Sequence, residues 1–155
     1  MSGEKVHGTR WRAVSMGWAV AVLAGLVISP LLRILYTSLS EPPGERGELT
    51  ATLVVISLAA GFLSYLMGGY VAARMAGRSG GKHGSLTAVF GLIVGLVLAV
   101  VLGLFGAVFA EGVALPPAGF GLAGAALLAG LILFLTNLFG GFVGGKLGEP
   151  ATAQR

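Results

Sequence analysis

The sequence predicts an all-α membrane protein of four transmembrane helices, arranged as two repeated helical hairpins. Three observations lead there. Hydrophobic residues make up 55% of the 155-residue chain and charged residues only 10%, whereas a soluble domain carries about 25%. Four stretches, 13–32, 49–73, 83–110 and 112–145, contain no Asp, Glu, Lys or Arg. The basic residues then fall mostly on one side of the layout that those stretches impose. With so little charge the chain cannot clothe a water-facing surface, and a helix needs roughly 20 apolar residues to cross a hydrocarbon core of about 30 Å. Lipid offers no hydrogen-bond partner, so such segments close their backbone bonds internally.

Each element follows in order. Residues 1–11 form a basic segment with Lys5 and Arg10. Helix one is expected near 12–36 and helix two near 50–76, making a first hairpin over 12–76. Residues 77–84, with Arg78 and Lys82, form a basic loop. Helix three is expected near 85–110. Pro116-Pro117 delay helix four to about 118–146, closing a second hairpin over 85–146, with a tail at 147–155. A cleaved leader is not expected at the N-terminus. Secretory leaders have apolar runs of about 7–15 residues, and this run has 20.

Charge sets the orientation. Lys5, Arg10, Arg12, Arg74, Arg78, Lys82, Lys146 and Arg155 share one side. Arg33 and Arg46 stand on the other, with Glu41, Glu45, Glu48 and Glu111. Short basic loops stay cytoplasmic, so both termini and the central loop are expected inside a bacterial cell (inner) membrane. This distribution also accounts for the basic balance without nucleic acid as a partner. Arg74, Arg78, Lys82 and Lys146 are placed to meet anionic lipid headgroups.

The segment "LMGGYVAARMA" (66–76) reappears without a gap, 72 residues on, as "LFGGFVGGKLG" (138–148). Leu66, Gly68, Gly69 and Val71 recur as Leu138, Gly140, Gly141 and Val143, and Arg74 becomes Lys146. Read as a duplication, the unit is a two-helix hairpin. Two spans per unit keep both copies in one orientation, with a pseudo-twofold axis along the membrane normal.

Small residues recur every four positions in each span, on one face of each helix. The expected packing glycines are Gly17 and Gly25 in helix one, Gly68 and Gly69 in helix two, Gly91, Gly95 and Gly103 in helix three, and Gly140, Gly141 and Gly144 in helix four. Leucine gains nothing by hiding from lipid tails, so membrane helices associate through close backbone approach. Packing within one bundle is the reading taken. A homo-oligomer surface or a glycine-lined pore is the alternative.

Catalytic material is scarce. There is no cysteine and no aspartate, the two histidines are His7 and His83, and all six glutamates lie outside the apolar runs. No catalytic residue, metal or cofactor is therefore expected. "GFGLAG" (119–124) has the spacing of a dinucleotide fingerprint but lacks the strand before it and the acid about 20 residues on. "AGRSGGKHGS" (76–85) is similar to a phosphate loop, but Ala76 and His83 stand where glycine and Ser or Thr are required. Four-span small multidrug transporters carry a glutamate in the first helix, which this chain lacks. The small fluoride channels commonly lack so strong a charge bias.

Four polar residues stand out. Arg33 is near the outer end of helix one, a turn past Pro30, and Glu111 ends helix three. Arg33 is expected to reach the headgroups, with a Glu111 ion pair as the alternative. Asn137 is expected to bond across to Ser64 or Ser15, since interhelical bonding is the common use of such residues.

The segments "GGYVAARMAGRSGGKHGSLTAVFG" (68–91) and "GGFVGGKLGE" (140–149) resemble the uncharacterised small four-span integral membrane proteins of Gram-positive bacteria. The resemblance implies a cell-membrane location and a compact helical bundle, and it brings no catalytic residues. The function expected is a non-catalytic bundle that binds membrane partners: lipid, copies of itself or another membrane protein. The alternative is a small homo-oligomeric channel or transporter.

Overall fold

A computed structural model describes residues 9–39, 51–109 and 125–150, with side-chain surroundings for 9–38, 54–101 and 128–150. Four helices carry the chain: α1 Trp11–Leu39, α2 Ala51–Ala76, α3 Gly80–Phe109 and α4 Ala125–Gly148. All four are long and apolar enough to cross a membrane, and the chain has the architecture of a multi-pass membrane protein. The Pro-Pro pairs, Glu111 and residues 118–124 of the expected fourth helix lie outside the described residues.

Two boundaries differ from expectation. α1 continues unbroken through Pro30 to Leu39. α3 begins at Gly80, so the expected loop 77–84 shrinks to residues 77–79. Gly77 adopts φ 71° and Ser79 φ 48°. Glycine enters this left-handed region at no steric cost and so can end α2 abruptly. The Gly77 N–H still bonds the Ala73 carbonyl at 2.9 Å. Lys82 and His83 thus sit on the first turn of α3, not in a free loop.

The packing is inverted relative to a water-soluble core. The buried hydrophobic residues are Ala13, Val14, Ala21, Ala60, Ala72, Ala73, Ala76 and Ala88, while Leu23, Leu26, Leu31, Leu96 and Leu128 are exposed. Such a bundle is held by backbone approach, not by hiding large side chains. The closest approaches cluster at the end that carries Arg12, Arg74, Lys82 and Lys146. A Cβ built on Gly17 would stand 2.6 Å from the Gly68 carbonyl oxygen, and one on Gly68 2.5 Å from that of Gly17.

The double glycines acquire a geometric meaning. On α4, Gly140, Gly144 and Gly148 abut the α2 carbonyls of Phe62, Leu66 and Tyr70, whereas Gly141 and Gly145 abut Gly84 and Gly80 of α3. On α2, Gly68 and Ala72 meet Gly17 of α1, whereas Gly69 meets Gly141 and Ala73 meets Gly148 of α4. Two adjacent small residues, repeated four positions later, make two parallel smooth ridges on one helix. Each of α2 and α4 lies between two neighbours and needs both ridges.

The expected twofold axis is not seen. Relating α1 to α3 and α2 to α4 would require the α2–α3 contact to be matched by one between α1 and α4. Those two helices do not meet among the described residues.

Candidate functional site

The missing α1–α4 contact leaves a cleft. Both helices rest on α2, and between them opens a cavity of about 300 Å³. Gly25 of α1 and Gly61 of α2 create the room. A Cβ on Gly25 would meet Ser64 at 3.4 Å, and one on Gly61 would strike Oδ1 of Asn137. Tyr65 also borders the cleft; its hydroxyl is accommodated by Gly91 of α3, beside Trp18. Trp18 in turn meets Phe90 edge-on, with centroids 5.6 Å apart.

The lining is polar for a membrane interior: Ser29 and Arg33 on α1, Ser57 and Ser64 on α2, and Asn137 on α4. Ser64 is 3% exposed and donates to the Ala60 carbonyl at 2.6 Å. Asn137 Oδ1 is buried with no hydrogen-bond partner. This corrects the expected cross-helix bond. Ser64 is satisfied within its own helix, a habit of serine in helices. Ser15 likewise donates to the Arg12 carbonyl at 3.2 Å. The register of α4 sets Asn137 over Gly61, which has no side chain to answer it.

Depth follows from helix rise. Asn137 precedes Lys146 by nine residues and Arg33 follows Arg12 by 21. These spacings correspond to about 13 Å and about 32 Å along their helices. The cleft therefore runs from mid-membrane to the headgroup level opposite the cation-rich end. Towards that end α1 and α2 draw together at Gly17 and Gly68. Arg33 is exposed, and among the described residues no acidic residue lines the cavity.

At the cation-rich end, Arg74 donates to the Tyr70 hydroxyl from Nε at 3.1 Å and Nη2 at 3.0 Å. Lys146 stands 3.8 Å from Glu149. Arg78 lies in the turn and Lys82 is exposed on α3. These four residues share one rim.

The other expected site residues divide. Gly17, Gly68, Gly69, Gly91, Gly140, Gly141 and Gly144 each face atoms of another helix at closer than ordinary contact, and Gly25 faces Ser64. Gly95 does not: it is exposed, and a Cβ there meets nothing within 4 Å. The α3 register turns it away from the bundle, so its place in the expected packing stripe is corrected. Gly103 and Glu111 lie outside the residues whose surroundings are described.

Sequence reasoning missed Gly61, Gly80, Gly84, Gly145, Tyr65 and His83. Gly80 and Gly84 stand four apart, like the glycines that were noticed, but the expected start of helix three at 85 hid them. Among the described residues no group of His, Cys, Asp or Glu is placed to hold a metal. No family model, curated protein or solved structure matches the chain.

Proposed function

We propose that the protein is a non-catalytic integral membrane protein of a bacterial cell membrane that works by binding other membrane components, lipid first among them. Both termini and the turn at 77–79 face the cytoplasm on this reading, because the cation-rich rim is the one that stays inside. Copies of the chain or another membrane protein remain partners of the same kind. The proposed kinship is with the small four-span membrane proteins of Gram-positive bacteria that the glycine segments resemble.

The observation that supports it most is the side cleft between α1 and α4. It presents an arginine, serines and an unsatisfied amide to lipid rather than to a sealed interior. The glycines offer little to a conduction path within one chain, since most are filled by the backbone of a neighbouring helix. Reconstitution tests the reading. The purified chain in liposomes is expected to pass no ions or small solutes, and to carry lipid or a crosslinked partner out of native membranes. Selective flux would replace this reading with the homo-oligomeric channel or transporter.

A further inference from the structure

We infer that the cleft between α1 and α4 holds the headgroup of one phospholipid, bound through its phosphate to Arg33 and through headgroup hydroxyls to the polar wall below. The inference rests on the lipid-binding reading and assigns it a site.

Access comes first. α1 and α4 do not meet among the described residues, so among those residues the gap opens sideways, the direction from which a lipid enters. An acyl chain there would leave the Asn137 amide unanswered, at a cost of about 1–3 kcal/mol. A polar headgroup removes that cost.

Charge chooses the phosphate. Among the described residues Arg33 is the single cation in the lining, no Asp or Glu joins it, and it has no ion pair. Guanidinium matches phosphate geometry with two parallel bonds. On a helix the Cα–Cβ bond tilts toward the N-terminus, and the N-terminus of α1 lies at the cation-rich end. That tilt starts the Arg33 side chain toward the cation-rich end, and Arg33 is among the residues that line the cleft.

Size chooses the headgroup. Arg33 and Asn137 differ in depth by roughly 15–20 Å of helix rise, and the arginine side chain spans part of it. Phosphate followed by a hydroxyl-bearing group such as glycerol extends down the remainder. Ser29 lies along that path on α1, and Asn137 closes it. A choline headgroup has no hydroxyl and leaves the lower wall unmatched.

Native mass spectrometry of the full chain in mild detergent tests this, with phosphatidylglycerol, phosphatidylcholine and diacylglycerol added in turn. One phosphatidylglycerol per chain is expected to be retained, phosphatidylcholine more weakly and diacylglycerol not at all. Arg33→Gln should weaken phosphatidylglycerol about tenfold, the scale of one charge-assisted bond. Gly25→Leu, which fills the cleft, should abolish retention. Gly95→Leu, exposed on α3 and away from the cleft, should change nothing. Equal retention by the parent, Arg33→Gln and Gly25→Leu would overturn the cleft site and leave lipid binding standing elsewhere. Retention lost only in Gly95→Leu would do the same. Displacement of the lipid by free glycerol phosphate would overturn a lipid source in favour of a soluble one. A parent chain that keeps no lipid would sink this inference and the lipid-binding reading together.

Discussion

The backbone N–H of Arg10 donates to Nε2 of His83 at 3.2 Å, and Nδ1 of the same ring lies 3.1 Å from the Ser79 carbonyl. An amide N–H only donates and a carbonyl only accepts. The ring must therefore carry its proton on Nδ1 and leave Nε2 bare. His83 is 3% exposed, and it ties the entry of α1 to the first turn of α3. A buried histidine here is a structural latch whose tautomer the backbone dictates.

Two outcomes follow for that latch. Nitrogen chemical shifts of His83 should report the Nδ1–H tautomer. His83→Phe should destabilise the bundle by about 1–3 kcal/mol, because the Arg10 N–H loses its acceptor. It should also speed amide exchange at Arg10. Unchanged exchange there would show that water replaces the ring freely.

The glycines separate into those that touch and those that do not. Gly141→Leu forces a side chain into the Gly84 backbone, where nothing flexible can yield. A loss of about 3 kcal/mol or outright misassembly is expected, the scale of severe overpacking. Gly95→Leu meets open space and should stay within about 0.5 kcal/mol of the parent, as surface changes do. Melting both variants in one detergent decides it. Equal destabilisation would place Gly95 in a contact between chains.

Much of this fold was legible because lipid imposes a length and a composition that no other solvent does. The spans of α2 and α4 could be read from uncharged runs ending at Arg74 and Lys146. The small-residue faces were visible too, yet not which neighbour each served. Gly68 and Gly69 look alike in sequence, but one meets α1 and the other α4. That choice is made by helix order in the bundle, a tertiary fact. The cleft was hidden for the same reason. Asn137 could be singled out as polar, but its isolation depends on the α4 register setting it over Gly61. His83 was read as loop because uncharged length gave no sign that α3 starts before Lys82.

Asn137 offers a counterintuitive stability change. Polar-to-apolar substitution usually costs a hydrogen bond, but Oδ1 has none to lose. Asn137→Leu keeps a similar volume and removes an unsatisfied buried acceptor. In delipidated detergent the melting temperature should hold or rise, with a gain of up to about 1–2 kcal/mol. A fall of that size would reveal a partner for Asn137 that the bundle acquires only in solution.

Orientation is the last expectation, and the chain lends itself to the measurement because it contains no cysteine. Single thiols introduced by Ser2→Cys and by Ser38→Cys flank the α1 span in sequence, one before it and one at its end. On the expected layout eight of the ten basic residues lie on the Ser2 side, and each lysine or arginine near an inner surface gains about 1 kcal/mol from anionic lipid. Inverting the chain would forfeit most of that and carry the cation-rich rim across the hydrocarbon. A membrane-impermeant maleimide added to intact cells should therefore label Ser38→Cys at once. Ser2→Cys should react only after permeabilisation. The reverse pattern would turn the cleft mouth at Arg33 toward the cytoplasm and move the phospholipid site to the inner leaflet. Equal labelling of both would mean that the charge asymmetry does not hold one topology.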